Sequence, residues 1–368
     1  MARKLKVDTP FLVGVIILII GGFFIFSSAS LGLLVHGDVK YSNVTFNQTV
    51  FGLLFGTVAF IITSKINYKF WRRHAFYIFI ISIVLCLLVF VPKIGFEHGG
   101  AKRWLLLGPV SFQPSEILKI AFIIYLSAWI SGIGERVKTL KFGLMPLSVL
   151  YVICATLLLL QPDTDTFVIL FLSGIAIFLV GGGKLKHIGI LLLVCIIGIV
   201  LVAIFRPYVR SRIQTFIDPS HDPQGSSYQI QQSLIAIGSG KITGRGFGQS
   251  IQKFSFLPEP IGDSVFAVAA EEFGFIGSTA LIILFVFFAF RGLRIATRAP
   301  DTFSGLVVVG IVILIVSQSF VNIGAMLGVF PLTGIPLLFV SQGGTALAIT
   351  LAEAGIILNI SKYQRSSN

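Results

Sequence analysis

The chain of 368 residues is 55% hydrophobic and 12% charged, with a formal net charge of +13 and a mean hydropathy of +0.95. Soluble domains carry roughly 25% charged residues, and a bilayer takes about 20 consecutive apolar residues per helix, so the many long apolar runs here exclude a soluble core. In a soluble protein the positive charge would point to nucleic acid. Here the basic residues cluster in short segments between apolar runs, where they set orientation in a membrane, and no nucleic-acid partner is expected.

The predicted fold is an all-α polytopic membrane protein, a single domain over residues 1–368. Its ten transmembrane helices are expected at about 11–34, 48–64, 75–91, 114–133, 142–160, 166–182, 188–205, 262–290, 303–328 and 335–361. The first apolar run, about 24 residues, is too long for a signal-peptide core and is read as a retained helix. Cys86, Cys154 and Cys195 lie inside apolar runs with no metal or disulfide spacing. With the N-terminus inside, 17 of the 28 basic residues fall in short inner segments, among them Lys65, Lys69, Arg72, Arg73, Arg136, Lys138 and Lys141. Six of the ten outer ones lie in one long loop, which counts little toward orientation. The expected topology is N-in/C-in, with a large extracytoplasmic loop at about 206–261 between helices 7 and 8.

Unusual polar residues gather at the outer ends of the spans. Glu116 and Lys119 lie three apart on one helix face, a structural ion pair or the floor of a polar cavity. Arg103 and Trp104 just before them are placed to meet a lipid headgroup. Gln161, Asp163 and Asp165 occupy a turn built on Pro162, where either acid could cap the next helix or face the same cavity. In the long loop, "SSYQIQQSLIAIGSG" suits a short surface helix. The glycine-dense "GSGKITGRGFG" after it fails as a phosphate-binding P-loop, because Ile235 and Ile242 stand where Gly and Ser or Thr are needed. Lys241 and Arg245 beside those glycines could still hold a lipid phosphate, or belong to a flexible surface loop.

The stretch "FLPEPIGDSVFAVAAEEFGFIG" places Asp263, Glu271 and Glu272 at the head of the eighth span. A continuous helix counted back from Arg291 reaches Glu271 after about 30 Å and Asp263 roughly 12 Å further out. Residues alone read Asp263 as an N-cap. Helical geometry lets Glu271 share its face and line the cavity, and turns Glu272 toward a neighbouring helix, with Gln318 and Asn322 as candidate partners. In the last span, Gly343 and Gly344 permit close helix approach, and Glu353, about three turns deeper, needs a protein or cavity partner.

Taken together, "RWLLLGPVSFQPSEILKIAF", "QPD" with Thr166, "RIQTFIDP" leading to "YQIQQSLIAIGSG", "GRGFGQS", "FLPEPIGDSVFAVAAEEFGFIG" and "NIGAMLGVFPLTGIPLLFVSQGG" resemble, in order over about residues 100–345, the SEDS family of bacterial cell-wall proteins, the FtsW, RodA and SpoVE group. The resemblance leans to the FtsW type. It implies a multi-pass protein of the bacterial cytoplasmic membrane: a peptidoglycan glycosyltransferase that polymerises lipid II, a disaccharide-pentapeptide on undecaprenyl pyrophosphate, at the outer face. It also implies a divalent cation, Mg²⁺ or Mn²⁺, and a class B penicillin-binding protein as transpeptidase partner. By family match Asp263 falls on the catalytic aspartate, as base or as metal ligand. Glu116, Lys119 and Asp163 fall on polar cavity positions, and Gln113 and Ser341 lie in matching elements as further lining candidates. Lys119, Arg103, Arg212, Lys241 and Arg245 are the candidates to stabilise the leaving group. Thr164 and Asp165 depart from the family's apolar-Gly pair, and Gln342 from its usual Tyr. A lipid II flippase or a non-catalytic scaffold are the alternative readings.

Overall fold

The structure is a computed structural model and describes residues 7–36, 38–98, 101–107, 110–218 and 227–364. Helix α1, Thr9–Ser30, is capped by Asp8, whose side chain accepts from the Phe11 amide. A 3₁₀ turn (Leu31–His36) leads to α2 (Asp38–Phe46), which runs through wide turns over Asn47–Leu54 into α3 (Phe55–Lys65). Helix α4 spans Tyr68–Leu88. After it the all-α expectation needs correcting, since β1 (Gly95–His98), β2 (Ala101–Leu107) and β3 (Val110–Phe112) form a small antiparallel sheet in the order β1-β2-β3. Periodicity missed it because the strands are short and sit in a segment read as one loop.

Helix α5, Pro114–Ile133, starts on a proline, whose missing N–H costs nothing in the first turn. Then come α6 (Met145–Leu160), α7 (Thr164–Val180) and α8 (Leu185–Phe205). The long loop holds α9 (Pro207–Ile217), the expected short helix as α10 (Tyr228–Ser239), and α11 (Gln252–Ser255); its residues 219–226 lie outside the described residues. Helices α12 (Val265–Thr297), α13 (Thr302–Met326) and α14 (Gly344–Ser361) complete the chain. Among the described residues nine helices are long and apolar enough to cross a membrane, and α7, also apolar, has 17 residues.

The second and third spans begin about seven residues before their predicted starts, at Tyr41 and Tyr68, and two further spans differ in conformation. The tenth begins at Gly344 and not near 335, because Pro331 and Pro336 remove backbone donors and keep the segment before it out of the helix. The eighth is broken at Gly274, where φ is 63° and ψ −163°. That conformation is open essentially to glycine alone. The break frees carbonyls and amides that the glycine loop takes up: Arg245 and Gly246 amides donate to the Glu271 and Glu272 carbonyls, and the Phe275 and Ile276 amides donate to Lys241 and Ile242. The depth count through a continuous helix therefore does not hold.

Helix α13 is the axis of the bundle, buried along its length and packed against α5, α7, α12 and α14. An apolar circumference suits such a position. Its two interior amides, Gln318 and Asn322, face the segment 331–343 and bring the polar ends of the other helices together.

Candidate functional site

Asp263 sits just ahead of α12, but Ser264 takes the cap position and no side chain caps the helix. The N-cap reading is thus replaced by a different one. The backbone around Asp263 is pinned from three sides. The Asn322 amide donates to the Asp263 carbonyl (2.8 Å) and to the Ile335 carbonyl (2.9 Å). The Ser341 hydroxyl donates to the Gly262 carbonyl (2.7 Å), and the Gln342 amide to that of Ile261 (2.7 Å). Gln48 holds the same turn, donating to the Ser341 carbonyl and accepting from the Gly343 amide. Gln342, where an aromatic was expected from the resemblance, contributes through its backbone.

The side chain of Asp263 is only partly exposed. A Cβ at Gly334 would lie 3.8 Å from its Oδ2 and 3.4 Å from Arg212 Nη2, so the glycine keeps open a gap between carboxylate and guanidinium. Arg212 Nη1 meets Asp165 Oδ2 at 2.5 Å, and the Gly334 amide donates to the same oxygen at 3.0 Å. Asp165, at the position that departs from the family pattern, is therefore the acid that orients Arg212. Burial first, and the Glu259 carboxylate second, push the Asp263 carboxyl up to about 7, against the opposing pull of Arg212 and Arg103.

A second group adjoins. Arg103 Nε donates to the Gln161 carbonyl at 3.0 Å and its Nη2 to that of Pro162. Asp163 caps α7 through the Thr166 amide, and Gln113 and Ser115 donate to its other oxygen, each at 3.4 Å. The buried Gln161 donates to the Cys86 carbonyl, while its Oε1 has no partner among the described residues. Trp104 pairs with Phe96 across β1 and β2, on the rim. Deeper in, Lys119 meets Glu116 at 2.9 Å and donates to Gln318 at 2.8 Å, both charges being buried. Gln318 in turn donates to the Pro336 carbonyl. Glu353 is buried nearby, with one carboxyl oxygen unpartnered among the described residues.

Three expected members lie elsewhere. Glu271 does not line this cavity: it accepts from the Ser250 hydroxyl (2.6 Å) and from the Ile251 and Gln252 amides, with Arg245 at 3.3 Å. Arg245 is thereby engaged by Glu271, and Lys241 is an exposed residue of the glycine loop. Glu272 does not pair with Gln318 or Asn322 but with Lys253 (2.6 Å) and the Ser28 hydroxyl. The turn at Gly274 sends both acids toward the loop instead of along α12. Sequence reasoning missed Lys253, counted as an outer basic residue, and Glu259, whose place beside Asp263 is signalled only by the two prolines that flank it in "PEP".

From the Asp165–Arg212 pair an apolar groove of about 640 Å³ runs down between α6, α7 and α8, past Tyr151, Phe167 and Val194, with Thr333 at its upper end. A charged head and a long hydrocarbon wall thus share one opening. Among the described residues no three of His, Cys, Asp and Glu cluster to enclose a metal.

The chain matches the cell cycle protein family of FtsW, RodA and SpoVE over residues 8–366. It is 35% identical to the Stage V sporulation protein E of Bacillus subtilis, over 96% of each chain. It is 37% identical to the "Probable peptidoglycan glycosyltransferase FtsW" of Nitrosococcus halophilus, over 95% of this chain and 91% of that one. Among solved structures it resembles a chain of a peptidoglycan synthase complex described as coordinating polymerization and crosslinking (TM-score 0.74, 27% identity, 93% and 97% covered). It also resembles an aspartate-to-alanine mutant of the Rod shape determining protein RodA of Thermus thermophilus (TM-score 0.71, 25% identity, 98% and 99% covered).

Proposed function

The chain belongs to the cell cycle protein family of FtsW, RodA and SpoVE and is a peptidoglycan glycosyltransferase; from that premise we propose that Asp263 is its general base and that lipid II is its substrate. The observation that carries this is the placement of a carboxyl, raised by burial to about 7, across the gap at Gly334 from Arg212, which with Asp165 lines the head of the apolar groove. A general base works best with a pKa near the operating pH.

In the proposed reaction the 4-hydroxyl of an acceptor sugar attacks the anomeric carbon of the donor. Asp263 takes the hydroxyl proton as the new C–O bond forms, and the bond to the lipid pyrophosphate breaks with its electron pair. Attack opposite an α-linked leaving group inverts the centre and yields a β-1,4 link. Arg212, oriented by Asp165, and Arg103, held by two carbonyls, supply positive charge for the leaving pyrophosphate. The groove between α6, α7 and α8 takes the polyprenyl chain. Asn322, Ser341 and Gln48 fix the backbone that presents Asp263. Glu116 and Lys119 hold the floor through Gln318.

A divalent cation, Mg²⁺ or Mn²⁺, fits the donor set. Mg²⁺ is commonly held by one or two carboxylates plus substrate phosphates; in the alternative role of Asp263 as metal ligand, it and the Glu259 carboxylate that acts on it would hold such an ion. When bound, such an ion supplies charge neutralisation at the pyrophosphate. The long apolar helices make this a multi-pass membrane protein. In the proposed arrangement α7 is the sixth of ten spans, both termini are cytoplasmic, and the site opens on the outer face of a bacterial inner membrane. A crosslinking transpeptidase of the class B penicillin-binding type is the proposed partner, as in the synthase complex that the chain resembles.

The test is polymerisation of purified lipid II by this chain, alone and with its transpeptidase. Wild type is expected to make glycan and Asp263→Ala to make none. Undiminished synthesis by the variant would remove Asp263 from the chemistry; lipid II crossing vesicles without polymer would favour transport.

A further inference from the structure

A second groove lies on the other side of α6. It holds about 400 Å³ and is lined by Phe76, Phe79 and Ile83 of α4, Tyr125 and Trp129 of α5, and Val149 of α6. It is separate from the active site, whose groove uses the opposite face of α6. From Phe76 to Ile83 it is about 10 Å long at 1.5 Å per helical residue. Its walls are apolar and aromatic side chains, which suit extended hydrocarbon chains.

One end of the slot is basic. Arg73 is exposed one turn before Phe76 on the same face of α4, and Lys141 is exposed one turn before Met145 of the lining. Arg136 and Lys141 both lie 5.7 Å from the Phe142 ring, and the Trp129 indole donates to the Phe142 carbonyl at 3.2 Å. The N-termini of α4 and α6 point their positive dipole ends to the same region. Trp at the end of an apolar slot marks headgroup depth. No acid lines the slot itself. Glu135 at this end is already engaged by Lys138.

We propose that this slot between α4, α5 and α6 is a binding site for an anionic glycerophospholipid, its acyl chains against Phe76, Phe79, Tyr125 and Trp129 and its phosphate on Arg73 and Lys141. The ligand belongs to the leaflet that the basic end faces, and is distinct from the substrate lipid of the other groove.

Native mass spectrometry of the purified chain, titrated with phosphatidylglycerol or phosphatidylcholine, tests it. The wild type is expected to retain phosphatidylglycerol preferentially. Each basic residue near a headgroup contributes about fivefold, so Arg73→Gln with Lys141→Gln is expected to weaken retention roughly 30-fold. Val149→Trp fills the slot from a lipid-facing position and is expected to remove the bound lipid with the melting temperature unchanged. Equal retention of the two lipids, or wild-type retention of phosphatidylglycerol by both folded variants, would overturn the proposal. So would a protein cross-linked through position 149 in place of lipid.

Discussion

Replacing Lys253 by Met tests how the broken helix is held. The Lys253 ammonium is fully enclosed, 2.6 Å from Glu272 Oε1 and 3.1 Å from the Ser28 hydroxyl, and Glu272 is itself 1% exposed. Removing one member of a buried pair leaves the other charge uncompensated, at a cost of about 3–5 kcal/mol. Ser28 and the Ser250 amide still donate to Glu272, which places the expected loss at the lower end, about 3 kcal/mol. The double change Lys253→Met with Glu272→Gln removes both charges and keeps the shape, so it is expected to recover most of that loss. The assay is thermal unfolding of the purified protein in one detergent for wild type, both single variants and the double. A double variant no more stable than Lys253→Met alone, or a Lys253→Met protein as stable as wild type, refutes the reasoning.

Three further outcomes are expected. Arg212→Ala is expected to lower the polymerisation rate about 100-fold by removing charge from the leaving group, and Lys at that position to restore little because it cannot reproduce the fork held by Asp165. Gly274→Ala is expected to destabilise by about 1–3 kcal/mol or more, read as a lower melting temperature, since its φ is 63° and a Cβ would lie 2.3 Å from the Gly244 nitrogen. Asp263→Asn is expected to stabilise above pH 7 and to change nothing near pH 4. The raised carboxyl makes the folded state bind more protons than the unfolded one between about 4 and 7, so wild type loses stability as pH rises through that window.

The apolar helices were legible because hydrocarbon must be matched by side chains over a fixed length, and nine of them are long enough among the described residues. The break in α12 was not, because "FGFIG" stays apolar across it and only the backbone of Gly274 turns. For the same reason Glu271 and Glu272 could be recognised as buried acids but not paired. Their partners are Ser250 and Lys253, about 20 residues upstream, and Ser28, 244 residues away on α1. Asp163 could be read as a cap because its partner amide is three residues on. Asp165 could not be matched to Arg212, 47 residues on across α8, without the fold. Asp263 stood out by resemblance alone; its lack of a capping role, its neighbours Glu259 and Arg212, and its shifted acidity come from loops meeting α13.

The pH dependence of lipid II polymerisation tests the central claim most directly. If Asp263 is the base, kcat/KM rises tenfold per pH unit below about 7 and levels off above it, and Asp263→Asn leaves a residual rate without that limb. A wild-type profile that is flat through 7, or the same limb persisting in Asp263→Asn, would contradict it.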